Sequence, residues 1–228
     1  MIRVHVICEG QTEEMFIKEV LAESLEKKNI YLNPALIGKP GHKGGNFRFQ
    51  RLLTDVRNRL LGDQQAYCTT FFDFYGLPEE FPGKMEARTK SSMNEKADAL
   101  LTAMTAQLQE KLGSKAMRRF IPYIQMYEFE GLLFSAPNHL ALGINQPALE
   151  GQFQRIRNAF DTPEDINDSP NTAPGKRIQA LYKGYEKPLH GSLAAIEIGV
   201  ATIRAECPRF DHWLKRIETL GKIEPKEQ

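Results

Sequence analysis

The feature that most constrains this chain is a repeated change of period: short β-prone runs alternate with stretches whose apolar residues recur at helical spacing. The run from Arg3 to Cys8 passes through Gly10 into a helical pattern with Phe16, Val20, Leu21 and Leu25 on one face. Thr12, Glu13 and Glu14 open that helix, acids suiting its first turn, and it is expected to reach about Lys28. Tyr31 to Ile37 reads as a second strand, the glycine-rich GKPGHKGG as a loop, and Phe49, Leu52, Leu53, Val56 and Leu60 as a second helix. YCTTFF, from Tyr67 to Phe72, is the nearly continuous apolar run of a strand covered on both faces. Ser92 and Glu95 form a capping box ahead of a helix carrying Leu101, Met104, Leu108 and Leu112. Phe120 to Tyr127 predicts a fourth strand, which tolerates Pro122 near its start or on a sheet edge.

This alternation predicts an α/β fold: a mostly parallel sheet of about four strands flanked by helices, with ligands gathering at the carboxyl ends of the strands. Beyond Asn138 no strand is expected, and the segments near 147–160, 173–184, 192–205 and 208–220 read as helices. The expected division is an α/β domain over 1–137 and a helical region over 138–228 packed on it. A chain of 228 residues can bury one core with such an annex. Trp213, with Phe210, Leu214 and Ile217, reads as a helix face that packs on the core.

Three acids directly follow strand-like runs: Glu9 after Cys8, Asp73 after Phe72, and Glu128 after Tyr127, with Glu130 close behind. In a parallel sheet these acids can share one edge. Carboxylates gathered at neutral pH repel one another unless a cation neutralises them, and hard oxygen donors suit Mg²⁺ or Mn²⁺. Each acid also has a plainer use. Glu9 can solvate a turn or face a helix dipole, Asp73 can close the turn ahead of Tyr75 and Gly76, and Glu128 or Glu130 can be a first-turn helix acid.

The charge balance is nearly even, 30 Lys and Arg against 29 Asp and Glu, so there is no overall basic excess of the kind that coats nucleic acid. Local basic stretches remain: Lys39, His42, Lys43, Arg48 and Arg51, and later Lys176, Arg177, Lys183, Lys187 and His190. Thr172 reads as an N-cap with Pro174 in the first turn, which sets Lys176 and Arg177 against the helix dipole. A bound phosphate there would resolve the conflict, and Lys187 and His190 would extend the track. The plainer reading has both cations in water or paired with Asp165 or Asp168. The three cysteines carry no CxxC pair, so neither a disulfide framework nor a zinc knuckle is indicated, and Cys8 and Cys68 read as core residues. GxSxG is absent and the histidines are scattered. The N-terminal apolar run is too short for a signal segment or a membrane span, so a cytoplasmic protein without a membrane partner is expected.

The segments VICEGQTEE, TFFDFYGLPEEFPG and YIQMYEFEGLLF closely resemble those of the bacterial domain-of-unknown-function family 4276, placed among the Toprim-like folds. The likeness continues through INDSPNTAPGKRI, KPLHGSLAAIEIG and IRAECPRFDHWL, nearly the whole chain. It implies a Toprim-like sheet whose acids bind Mg²⁺ (or Mn²⁺) for phosphodiester cleavage of DNA or RNA, beside an AAA- or ABC-type ATPase in anti-phage defence. On that resemblance Glu9, Asp73 and Glu128 would be catalytic, those three with Glu130 would hold metal, and Lys43 or Arg48 would offset phosphate charge. Tyr75 stands where the family pattern has the second aspartate of a DxD pair, so either Glu128 or Glu130 replaces it or the site is weakened. The alternative is a catalytically silent adaptor or sensor that binds an ATPase or a nucleotide.

Overall fold

A computed structural model describes residues 1–38, 48–167 and 169–221. Strand β1 (Ile2–Cys8) leads through Gly10 into α1 (Gln11–Phe16), a π-helical turn at Ile17–Leu21, and α2 (Ala22–Glu26). Strand β2 (Ile30–Leu36), α3 (Phe49–Gly62) and β3 (Tyr67–Phe71) follow. Next come α4 (Lys84–Thr89), α5 (Met93–Leu112), α6 (Ser114–Met117) and β4 (Phe120–Ile121). The remainder is helical: α7 (Glu130–Leu133), α8 (Pro137–Gly143), α9 (Glu150–Arg157), α10 (Pro174–Leu181), α11 (Lys187–Ile198), α12 (Val200–Glu206) and α13 (Pro208–Leu220). The capping box opening α5 forms as expected, Ser92 accepting from the Glu95 N–H.

The sheet is wholly parallel, in the order β2-β1-β3-β4. Alternation along β1 sends Val4, Val6 and Cys8 into one apolar layer and Ile7 into the other. The first layer is closed by the helix after β1 and by the C-terminal helices, through Phe16, Phe129, Phe210 and Trp213. The second is closed by α3 and α5 through Leu52, Val56, Leu100 and Met104. Trp213 is buried against the sheet: its indole N–H donates to Thr69 Oγ1 at 2.9 Å and its ring stacks on Tyr123 at 4.6 Å. Cys8, Cys68 and Cys207 are all buried thiols. Among the described residues no helix is long and apolar enough to cross a membrane.

Several boundaries differ from the sequence reading. The fourth strand is regular only over Phe120–Ile121, because Pro122 has no N–H for a ladder; pairing resumes as a single bridge between Asp73 and Gln125. β4 is the sheet edge, where such a proline is tolerated. The segment read as one helix over 192–205 is two, α11 and α12, broken at Gly199 with φ 78°. Helix α10 is capped by Ala173 rather than Thr172, which ends a preceding 3₁₀ turn.

Helix α13 begins against an acid. Glu164 accepts the N–H groups of Arg209 at 2.9 Å and Phe210 at 3.0 Å, satisfying two first-turn donors. Glu164→Ala leaves both donors without this partner, that of Phe210 in a buried place and that of Arg209 in a partly buried one, and is expected to cost about 2 kcal/mol, read from urea denaturation.

Candidate acidic centre at the carboxyl edge of the sheet

Parallel pairing brings the ends of β1 and β3 together: Cys8 pairs with Phe71, and the Glu9 N–H bonds to Phe71 O at 3.3 Å. The Glu9 carboxylate reaches across and accepts the Asp73 N–H at 3.2 Å. Its space is made by Gly76, where an added Cβ would lie 1.9 Å from Glu9 Oε1. Glu13, at the third position of α1, folds back to accept the Gly10 N–H at 2.7 Å. Sequence reading had this acid only as a dipole partner; the glycine N-cap three residues before it was the available signal.

Glu128 and Glu130 enter from the edge strand through a strained turn, with Tyr127 at φ 63° immediately before Glu128. Glu128 Oε2 accepts the Gly175 N–H at 2.8 Å, so the start of α10 does hold an anion, and that anion is the protein's own carboxylate. Glu130 is fully buried, and Gly175 is again the gap: an added Cβ there would lie 2.9 Å from Glu128 Oε2 and 3.2 Å from the Glu130 carboxyl carbon.

Lys187, at the first turn of α11, reaches this group. Its Nζ lies 3.0 Å from Glu130 Oε2 and 3.5 Å from Glu128 Oε1. Burial works against its charge, but Glu130, Asp73 and Glu128 outweigh that and hold the ammonium well above the usual lysine range. The acids respond in the opposite sense. Burial, and then the neighbouring Glu13 and Glu9, push Asp73 well above the carboxylate range. Burial and Glu13 raise Glu9 to about 7; burial and Glu130 raise Glu13 to about 7. Burial raises Glu130 despite Lys187. Two oxygens, Asp73 Oδ1 and Glu130 Oε1, are buried with no hydrogen-bond partner. The Tyr185 hydroxyl also lacks a well-aligned partner, and burial, then the neighbouring Glu130 and Glu128, hold its pKa well above the usual tyrosine range.

A second lysine was not foreseen from sequence. Lys84 is buried, donates to Phe74 O, and lies over the Phe74 ring at 3.6 Å. Burial and Arg88 lower its pKa to about 8, with Glu9 acting against them. It ties down the turn that presents Gly76 to Glu9. Tyr75, in the same turn, donates its hydroxyl to Asn167 Oδ1 at 2.7 Å.

Of the expected residues, Glu9, Asp73, Glu128, Glu130 and Lys187 therefore gather in one centre. Of the other described residues, Arg48, Lys176, Arg177 and His190 do not join it. Arg177 turns back, its Nε donating to Thr172 O at 2.6 Å and its guanidinium over the Phe160 ring at 5.2 Å. Lys176 and Arg48 are exposed. His190 Nδ1 accepts the Glu186 N–H at 2.9 Å between the rings of Tyr182 and Tyr185, a cap for α11. Lys43, with Lys39 and His42, lies outside the described residues. Among the described residues, no three His, Cys, Asp or Glu side chains are already posed to hold a metal ion together.

Two outcomes follow from this geometry. Gly76→Ala meets the mobile end of Glu9 rather than backbone, so melting should shift by only a few degrees while a crystal structure shows the Glu9 carboxylate displaced from the Asp73 N–H. In the second, Glu9, Glu13 and Glu164 each stand at about 7 in the folded chain against 4.5 unperturbed. The folded state therefore holds their protons more tightly. The stability this confers is complete below pH 4.5 and lost as pH rises through about 7. Melts of metal-free protein should fall by on the order of 5 °C between pH 5 and pH 8.

The fold and the centre define an α/β protein with clustered carboxylates at the carboxyl edge of a parallel sheet. The family model described as Domain of unknown function (DUF4276) matches residues 8–218, and the chain belongs to that family. Neither a curated protein nor a solved structure matches it.

Proposed function

We propose that this protein is a Toprim-like, Mg²⁺- or Mn²⁺-dependent phosphodiesterase of bacterial type that cleaves nucleic acid in the cytoplasm. The observation that carries the reading is the meeting of Glu9, Glu13, Asp73, Glu128 and Glu130 at one sheet edge, with Asp73 Oδ1 and Glu130 Oε1 buried and unpaired. Orphaned carboxylate oxygens in a set of purely oxygen donors fit a hard divalent cation. Glu9, Asp73, Glu128 and Glu130 would hold it. When bound, such a cation polarises a scissile phosphate and lowers the pKa of an attacking water. The chain's own groups do the rest: the Asp73 N–H orients Glu9, the Gly10 N–H orients Glu13, and the Gly175 N–H orients Glu128. The ATPase partner of AAA or ABC type and the anti-phage setting rest on family resemblance alone.

The test is cleavage of single- and double-stranded DNA and RNA with Mg²⁺, Mn²⁺ or chelator, with and without an ATPase encoded nearby. Cleavage that needs the cation and is lost in Glu9→Gln is expected. One observation favours a second reading, a silent adaptor or sensor: Tyr75 occupies the second acidic position of the DxD pair, and its hydroxyl is spent on Asn167. Absence of cleavage on every substrate would give that reading the lead.

A further inference from the structure

We infer that the Lys187 ammonium is a resident counter-ion standing in the place of a divalent cation, and that it must leave Glu128 and Glu130 before such a cation can bind. The inference rests on the proposed metal centre and adds to it what sets the centre's affinity. Lys187 belongs to the first turn of α11, where the helix dipole disfavours a cation, and the helix offers it no acid of its own in that turn. What holds it is across the chain: Glu130 Oε2 at 3.0 Å and Glu128 Oε1 at 3.5 Å, from residues 57 and 59 positions earlier. Its side chain is 39% exposed, whereas that of Glu130 is 1% exposed, so the lysine reaches in from solvent and has a path back out. Glu128, by contrast, is held by the Gly175 N–H, as Glu9 is by the Asp73 N–H, and Glu130 is sealed from solvent.

The compensation is also incomplete. Lys187 leaves Asp73 Oδ1 and Glu130 Oε1 without partners, two buried oxygens that a single ammonium does not reach. A divalent ion carries twice the charge and accepts several oxygen ligands at once, so it can satisfy oxygens that one lysine cannot. Cation binding is then an exchange, ammonium out and metal in. The released lysine would lie at the rim of the centre, where a substrate phosphate would meet it.

The experiment titrates chelator-treated full-length protein with Mn²⁺, and separately Mg²⁺, by calorimetry, alongside melts at each metal concentration. Lys187→Met removes the competing charge and is expected to bind Mn²⁺ roughly tenfold or more tightly than wild type. Lys187→Arg keeps a permanent charge and should bind no more tightly than wild type. If Lys187→Met does not fold without metal, recovery of a cooperative melt on adding Mn²⁺ supports the exchange and failure to recover it overturns it. Wild type that binds Mn²⁺ while Lys187→Met binds it equally or more weakly overturns the counter-ion role and leaves the metal centre standing. Absence of binding to wild type and to both variants removes the metal centre, and this inference with it.

Discussion

Asp73→Asn is expected to abolish divalent-dependent cleavage while making the metal-free protein more stable, so that activity and stability move in opposite directions. Asp73 is buried beside Glu9, Glu13 and Glu130, and its Oδ1 has no partner. With Lys187 as the cation nearest the group, the wild-type centre carries excess acid, and each proton lost on raising the pH adds repulsion. An amide removes one such charge without changing the side-chain shape, and its NH₂ can donate to a neighbouring carboxylate. The gain should be small near pH 6, where the wild-type acids retain their protons, and grow to about 1–2 kcal/mol by pH 8.5. Mg²⁺ should then raise the melting temperature of wild type and not of the variant. Cleavage assays with melts at three pH values, with and without Mg²⁺, read all of this. A variant that cleaves like wild type, or melts lower in the absence of metal at pH 8.5, overturns the assignment of Asp73.

The largest stability loss is expected from Trp213→Ala, about 3–5 kcal/mol in urea denaturation, a large part of what a domain this size has. Its indole touches both strand chemistry and aromatic packing. It contacts Phe71 at 5.4 Å and Phe210 at 5.7 Å, and stacks on Tyr123. Truncation leaves a cavity and takes away the donor to Thr69 Oγ1, whose own hydroxyl holds Ile121 O at 2.5 Å. Trp213→Phe keeps much of the volume and loses the N–H, so it should cost distinctly less. Equal losses in the two variants would mean that the hydrogen bond, not the packing, joins α13 to the sheet.

The sheet was legible where sequence signal is local. Arg3 to Cys8 and Tyr67 to Phe72 are continuous β-prone runs, and the parallel order then forces their following acids to one edge. β4 was overestimated because YIQMY after Pro122 is as apolar as a strand while only Gln125 forms a bridge. The break at Gly199 was missed because IEIGVATI keeps a helical apolar rhythm through the glycine. In the centre, Glu9, Asp73, Glu128 and Glu130 were legible for the same reason as the strands they follow. What completes them was not: Lys187 looked like part of a basic track, and Lys84 and Gly175 carried no mark at all. Their roles come from contacts between residues tens of positions apart, which no local pattern encodes.

That separation has a consequence for how the chain is made. Thr69 waits for Trp213, 144 residues later, and Glu130 for Lys187, 57 residues later. A nascent chain that has emerged only as far as α7 has the four described strands and all five acids outside the ribosome, but lacks the C-terminal part of the apolar cover for one face of the sheet and the Lys187 ammonium for its edge. Non-local closure of this kind slows folding and exposes apolar surface in the interval. Premature termination after α8 should therefore yield an aggregating fragment rather than a working half, and the acidic centre should be among the last parts of the molecule to form during synthesis.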